Sequence, residues 1–266
     1  MTGRSNLWLL AGADPTGGAG LWRDVATARA CAPELSLATV VTAWTRQGDG
    51  APASAQPRSV EHVRADLAHQ PRPRAIKLGL CPAALVGDLL PALAETGAPV
   101  VLDPVLMASD GGDLGARAGR LRDVLRDMSV QTWLITPNRP EAAALAEVEP
   151  EDPDLVARLA ERLRGPALLL KDGHGGDPER VCDHLWVAGV VHTFSRLRQP
   201  GPDPRGTGCA LSTAIACSLA RGRPQLHAVA AGITWLDAVR AWTHPGSDGR
   251  PHLPDAGRDR VELRAA

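Results

Sequence analysis

The sequence predicts an α/β fold, a mainly parallel sheet covered by helices on both faces with a small antiparallel edge. Short apolar runs alternate with segments of helical spacing along most of the 266 residues. The runs are near-continuous, as in strands buried on both faces, where a strand with one wet face would alternate. Polar or glycine residues end nearly every run, so the carboxyl ends of the strands carry most of the chemistry-bearing side chains.

In chain order, Leu7 to Ala13 is a buried strand that feeds the loop D-P-T-G-G-A-G, and a helix follows from Ala19 to Cys31. Leu37 to Trp44 is a second strand, Val60 to His69 a helix, Ala75 to Gly79 a strand and Ala83 to Glu95 a helix. Val100 to Asp103 is a strand ending in a carboxylate, and Ala116 to Met128 is amphipathic, with Leu121, Val124, Leu125 and Met128 on one face. Trp133 to Thr136 is a strand, Pro140 to Ala146 and Leu155 to Leu163 are helices, and Ala167 to Lys171 is again a buried strand. After Gly176 the pattern changes: His184 to Val187 and Val191 to Arg196 flank Ala-Gly and predict a hairpin at the antiparallel edge. Helices are expected at Cys209 to Arg221 and Leu226 to Trp242. One domain is expected over residues 7–242, and residues 243–266, rich in Gly, Pro, Asp and Arg, are expected to form a loose tail.

A net charge of −1 and a pI near 6.7 lack the basic surplus of a general nucleic-acid or membrane-surface protein, so small molecules are the expected partners. With no long apolar run and a short polar N-terminus, a cytosolic location is expected. Five cysteines without a C-x-x-C pair predict free thiols, with neither a disulfide framework nor a zinc site. Only two of the 29 basic residues are lysine, Lys77 and Lys171. Where arginine serves everywhere else, a surviving ammonium marks a place that a planar guanidinium does not fit.

The stretch Asp203 to Ala216, D-P-R-G-T-G-C-A-L-S-T-A-I-A, is a glycine loop running into a helix. Gly206 and Gly208 let backbone N–H groups converge and, with Thr207, build an anion hole at the helix N-terminus. Cys209 at that terminus has its thiolate favoured by the dipole and is a candidate base or nucleophile; the competing reading is a helix cap with a packed thiol. Phosphoryl transfer needs an anion cradle, a positive charge, carboxylates for magnesium and a base at the acceptor hydroxyl. Lys171 supplies the charge, and Asp103 and Glu141 are oxygen donors able to hold Mg²⁺ through water. Asp103 before Pro104 also reads as a turn residue, and Asn138 with Glu141 as a helix-capping box. His174 is a supporting candidate only. Trp22 and Trp44 read equally as core aromatics or as walls for a flat ring. Neither the P-loop nor the dinucleotide fingerprint is present.

Six stretches occur in order: A-G-A-D-P-T-G-G-A-G-L from Ala11, K-L-G-L from Lys77, L-D-P-V from Leu102, I-T-P-N-R-P-E-A from Ile135, L-L-L-K-D-G-H from Leu168 and R-G-T-G-C-A-L-S-T-A from Arg205. Together they resemble the hydroxymethylpyrimidine/phosphomethylpyrimidine kinases of thiamine biosynthesis, in the ribokinase-like superfamily. The resemblance implies a three-layer αβα sandwich, usually a homodimer. It also implies transfer of the ATP γ-phosphoryl group, with Mg²⁺, to hydroxymethylpyrimidine and then to its monophosphate. By matching position, Gly12, Asp14, Ala19, Asp24, Leu80 and Val105 would line the substrate pocket, with Trp44 where the family usually has a glutamine. Lys171, Gly206, Thr207 and Gly208 would hold phosphate, Asp103 and Glu141 the metal, and Cys209 would stand where related sugar kinases have an aspartate base.

The departures lie on the substrate side. T-A-W-T-R replaces the usual T-A-Q-N-T, the usual glutamine at Trp22 is also absent, and K-I-G-M has become K-L-G-L. An indole offers a stacking face and one N–H where an amide both donates and accepts. A kinase for another hydroxymethyl heterocycle such as pyridoxal, and a non-catalytic ligand-binding relative, are therefore the alternatives.

Overall fold

A computed structural model describes residues 6–46, 53–108, 112–128, 133–173 and 177–254. Its first half runs β1 (Asn6–Ala13), α1 (Gly20–Cys31), β2 (Ser36–Arg46), β3 (Ser54–Pro57), α2 (Val60–Ala68), β4 (Ala75–Leu78), α3 (Ala83–Ala94) and β5 (Val100–Leu102). The second half runs α4 (Ala118–Met128), β6 (Leu134–Ile135), α5 (Arg139–Ala146), α6 (Leu155–Leu163), β7 (Ala167–Leu170), β8 (Arg180–Val187), β9 (Val190–Leu197), α7 (Thr207–Ala220) and α8 (Gln225–Arg240). The nine strands form one sheet in the order β3-β2-β1-β4-β5-β6-β7-β8-β9. β2, β1, β4, β5, β6 and β7 are mutually parallel, whereas β3 at one edge and the β8–β9 hairpin at the other are antiparallel.

β1 shows why its sequence is apolar throughout. Trp8 and Leu10 pack into a core with Ile76, Leu78 and the leucines of α2 to α6, while Leu7, Leu9 and Ala11 pack on the opposite face with Leu21, Leu211, Ile215, Val229 and Ile233 of α1, α7 and α8. Successive strand residues point to opposite faces, so a strand between two helical layers needs apolar side chains at both parities. The result is the three-layer sandwich.

Three features differ from the sequence expectation. β3, S-A-Q-P, is polar and half-exposed, so it carries no apolar signal; its proline sits at the sheet edge, where an unpaired N–H position is tolerated. α7 begins at Thr207, two residues before Cys209, because Gly206 takes the N-cap position in a left-handed conformation (φ 76°). Residues 243–254, expected within a loose tail, instead hold a two-stranded ribbon of β10 (His244–Pro245) and β11 (Pro251–His252), with His252 and Leu253 buried. Leu253 joins the core cluster of α1, α7 and α8, and that burial docks the segment. His174 lies outside the described residues.

The β8–β9 turn is the hairpin expected. Ala188 and Gly189 both have positive φ (49° and 83°), the geometry that matches the twist of two-residue hairpins.

Leu10→Ala, at a fully buried position, should lower unfolding free energy in urea by about 2–5 kcal/mol. Leu197→Ala, on the exposed edge strand, should change it by no more than about 0.5 kcal/mol.

Candidate active site

The parallel strands reverse their order at β1, which has β2 on one side and β4 on the other. In an open sheet such a switch point leaves a crevice beyond the carboxyl ends of the strands. A bulge marks it here: Ala11 pairs with Val41 but Gly12 with Ala43. The skipped residue, Thr42, donates its hydroxyl to the Leu80 carbonyl at 2.6 Å and ties β2 to the loop after β4.

Two lysine–aspartate pairs tie together the elements around this switch point. Lys171 Nζ lies 2.6 Å from Asp103 Oδ1, and Lys77 Nζ lies 2.6 Å from Asp24 Oδ2, the second pair wholly buried. Asp24 Oδ1 accepts from Thr213 Oγ1 on α7 at 2.9 Å. Each ammonium sits against a glycine. A Cβ on Gly79 would stand 2.7 Å from Lys77 Nζ, and one on Gly208 3.1 Å from Lys171 Nζ. These slots take a point charge on a thin stem and would not take a guanidinium, which accounts for the survival of just these two lysines in an arginine-rich chain.

Burial works against every charge in this group. Lys77 nonetheless has its pKa raised, because Asp24, Cys209 and Asp103 more than offset its desolvation; Lys171 is raised likewise by Asp103 and Glu141. Burial also opposes the Asp103 carboxylate, but Lys171 and Lys77 hold it below the usual carboxylate range. At Asp24 burial prevails over the Lys77 charge and raises the group.

The loop before α7 takes the tight turn that its glycines imply. A Cβ on Gly206 would collide with the Gly18 carbonyl, so the left-handed glycine lets the loop before α7 nest on the loop before α1. No side chain caps α7, which leaves the N–H groups of its first turn without a side-chain acceptor, an arrangement able to receive negative charge. Cys209 lies half-buried in this turn, with the Gly20 N–H at the start of α1 facing its sulfur. Here the sequence expectation of a favoured thiolate is corrected: burial pushes the Cys209 thiol up to about 11, although Lys77 pulls in the opposite direction. Desolvation outweighs the nearby ammonium and the Gly20 N–H.

Glu141 forms the capping box of α5, accepting from Asn138 N at 2.8 Å while Asn138 Oδ1 accepts from Glu141 N at 2.9 Å. Burial raises it to about 7; Lys171 opposes that shift and Asp103 adds to it. Two carboxylates flanking Lys171, each already hydrogen-bonded, fit a Mg²⁺ that keeps water and phosphate oxygens as most of its ligands. Among the described residues no group of three or more His, Cys, Asp or Glu forms an all-protein cage.

The expected substrate residues divide. Gly12 lies against Leu80, whose Cδ2 would be 2.8 Å from a Cβ there. Leu80 and Val105 belong to a small apolar cluster with Ala43, Ala53, Ala108, Leu114 and Ala116 beside the crevice. Ala19 is the N-cap of α1. Asp14 is taken up by the loop itself: its oxygens accept from Thr16 N, Thr16 Oγ1 and Ala19 N, and Arg205 Nη2 lies 2.8 Å from Oδ2. Trp44 is neither core nor buried. It is 56% exposed two residues before the end of β2, opposite Ala13, and Trp22 is equally open. The sequence reading singled out Lys77 but gave it no role, and it missed the partners of Arg205, which are Asp14 and, in the supposedly loose segment, Asp248 at 3.1 Å.

An open parallel sheet whose switch point gathers an uncapped glycine N-terminus, two buried ammonium groups and paired carboxylates belongs to a phosphotransferase of small molecules, a kinase. The family model for phosphomethylpyrimidine kinase matches residues 14–251, and the chain belongs to that family. The hydroxymethylpyrimidine/phosphomethylpyrimidine kinase of Streptomyces coelicolor is 34% identical over 224 residues, 80% of each chain. That of Mycobacterium bovis is 30% identical over 256 residues, 92% of this chain and 90% of its own. Among solved structures, the ADP complex of Bacillus subtilis pyridoxal kinase has the same fold, with a TM-score of 0.82 at 22% identity over 99% of this chain and 100% of its own. A phosphomethylpyrimidine kinase from Clostridium difficile scores 0.70 at 24% identity, covering 88% and 99%. No described helix is long and apolar enough to cross a membrane.

Because Glu141 has a folded pKa near 7 against 4.5 for the free side chain, the folded protein binds the extra proton between those values and loses stability as pH rises through them. Glu141→Gln keeps a capping side chain without the titration. Urea unfolding from pH 4.5 to 7 should show wild type losing on the order of 1–3 kcal/mol relative to the variant; parallel curves would contradict the raised value.

Proposed function

We propose that this chain transfers the γ-phosphoryl group of ATP to the hydroxymethyl group of hydroxymethylpyrimidine, of its monophosphate, or of both. The observation that carries the reading is the convergence of Lys171, Asp103 and the α7 N-terminus on one point beside Cys209. The family membership and the two curated relatives at 30% identity or more support the chemistry and the pyrimidine.

In this reading the first-turn N–H groups of α7 hold the transferring phosphoryl group, and Lys171 neutralises its oxygens. Asp103 and Glu141 would hold Mg²⁺, which when bound neutralises and aligns the phosphate oxygens. Gly12, Leu80 and Val105 would form an apolar slot for the heterocycle, with Trp44 as its open wall. The acceptor hydroxyl faces Cys209, whose thiolate takes the hydroxyl proton as the new P–O bond forms and the bond to ADP breaks. The Lys77 charge favours the thiolate, and the Asp24 carboxylate opposes it. A homodimer and a cytosolic setting are part of the proposal.

Pyridoxal is the second reading. It is favoured by the open indole of Trp44, which offers a stacking face in place of a base-reading amide, and is compatible with the solved pyridoxal kinase folds.

Magnesium-dependent ATP consumption with hydroxymethylpyrimidine, its monophosphate and pyridoxal in parallel decides between the readings by kcat/KM. For the preferred substrate, log kcat/KM should climb with pH from 7 toward 10, because the thiol ionises near 11. Cys209→Ala should lower turnover by about 10²- to 10⁴-fold and flatten that climb. A rise that survives in the variant would remove Cys209 as the base.

A further inference from the structure

The segment after α8 is fastened to the loop before α7 and, through Arg205 and Arg23, to the loop before α1 and its first turn. Arg205, which immediately precedes Gly206, is almost fully buried, and its guanidinium spans two carboxylates: Nη2 to Asp14 Oδ2 at 2.8 Å and Nη1 to Asp248 Oδ2 at 3.1 Å. Asp248 Oδ1 lies 2.9 Å from His252 Nε2. The main chain is joined as well, with Arg205 N donating to the Pro251 carbonyl at 2.9 Å and Arg205 bridged in parallel to His252. The His252 ring lies where a Cβ on Gly18 would be, 2.7 Å from its Cε1 and Nε2, and also fills the space beside Gly246. Arg23, on the first turn of α1, donates from Nη1 to the Pro254 carbonyl at 3.0 Å.

Resting on the kinase reading above, we propose that this C-terminal ribbon is a positioning element for phosphoryl transfer. Asp248 and His252, acting through Arg205, hold the loop at Gly206 to Cys209 against the loop at Asp14 to Gly20. The charges support this over a simple surface staple. The side chains of Asp14, Asp248, Arg205 and His252 are each at most 7% exposed, and burying such a network is costly unless its members are held in one arrangement. The arrangement they fix is the one the site needs. Gly206 can nest on the Gly18 carbonyl only if the two loops keep their spacing, and that spacing sets where the first-turn N–H groups of α7 and the Cys209 sulfur stand relative to the start of α1. A displacement of an ångström at such a point reduces turnover by about two orders of magnitude while leaving ground-state binding in place. Arg205 suits the role because its planar fork reaches two carboxylates at once, which an ammonium does not.

The test compares the full-length protein with Asp248→Asn, Asp248→Glu and Arg205→Lys, and with Arg250→Ala, an exposed residue of the same ribbon, as control. Kinetics are taken well below every melting temperature. Asp248→Asn and Arg205→Lys should lower kcat at least 10-fold with KM for ATP within about 2-fold, Asp248→Glu should recover part of the loss, and Arg250→Ala should match wild type. Unchanged kcat in folded Asp248→Asn and Arg205→Lys would overturn the proposal and leave the ribbon a structural staple. Amide hydrogen exchange gives a readout that does not need a substrate. Faster exchange at residues 16–20 and 207–210 in Asp248→Asn supports the positioning role even if no substrate is turned over, an outcome that would count against the kinase reading alone. Faster exchange confined to residues 243–254 contradicts the positioning role whatever the activity.

Discussion

Two buried ammonium–carboxylate contacts, Lys77 to Asp24 and Lys171 to Asp103, are the constraint on which the rest of the site depends. A buried charge is tolerated only when a partner and hydrogen bonds replace its water. Each lysine therefore fixes the element that carries its aspartate, and the partners come from far away in the chain: β4 is tied to α1, and the end of β7 to the end of β5. Thr213 extends the first tie to α7. The glycines at positions 79 and 208 fit the same arrangement, since a Cβ at 79 would run into the Lys77 ammonium and one at 208 would crowd that of Lys171.

The apolar layers supply the rigidity that such a cluster needs. β1 is packed on both faces and lies at the point where strand order reverses, so the loop that leaves it is held from beneath while opening into the crevice. The bulge at Gly12 and the hydroxyl of Thr42 bring Leu80 over that loop. The same burial that orders the site sets its proton chemistry. It keeps Cys209 protonated well above neutral pH and brings Glu141 close to half-protonation at neutrality.

Much of this was legible in the chain. Strands buried on two faces give continuous apolar runs, so β1, β2, β4, β5 and β7 announced themselves, and the polar residues ending them marked one crevice. The rarity of lysine pointed to Lys77 and Lys171 through the shape of the slots they fill. What was not legible depends on long-range packing. β3 has no apolar pattern, and the ribbon at residues 244–252 has the composition of a tail; it docks because Arg205 and Leu253 find partners more than 40 residues away or in another layer. The ionisation of Cys209 was misread for the same reason. A helix N-terminus is visible in sequence, whereas the desolvation that raises the thiol is a property of the assembled site. Trp44 was placed in the right strand, which runs on to Arg46, yet only the structure shows that its indole stands open.

The most direct measurement is the fate of the labelled γ-phosphoryl group in a single turnover with ATP, magnesium and a hydroxymethyl heterocycle, for wild type and for Lys171→Met. If the Lys171–Asp103 pair and the α7 N-terminus form the transfer site, label passes to the heterocycle's hydroxymethyl oxygen in wild type. The variant then transfers it at least about 100-fold more slowly, with the fold and ATP binding retained. Label that stays on ATP in wild type, or transfer by the folded variant at the wild-type rate, would contradict that assignment.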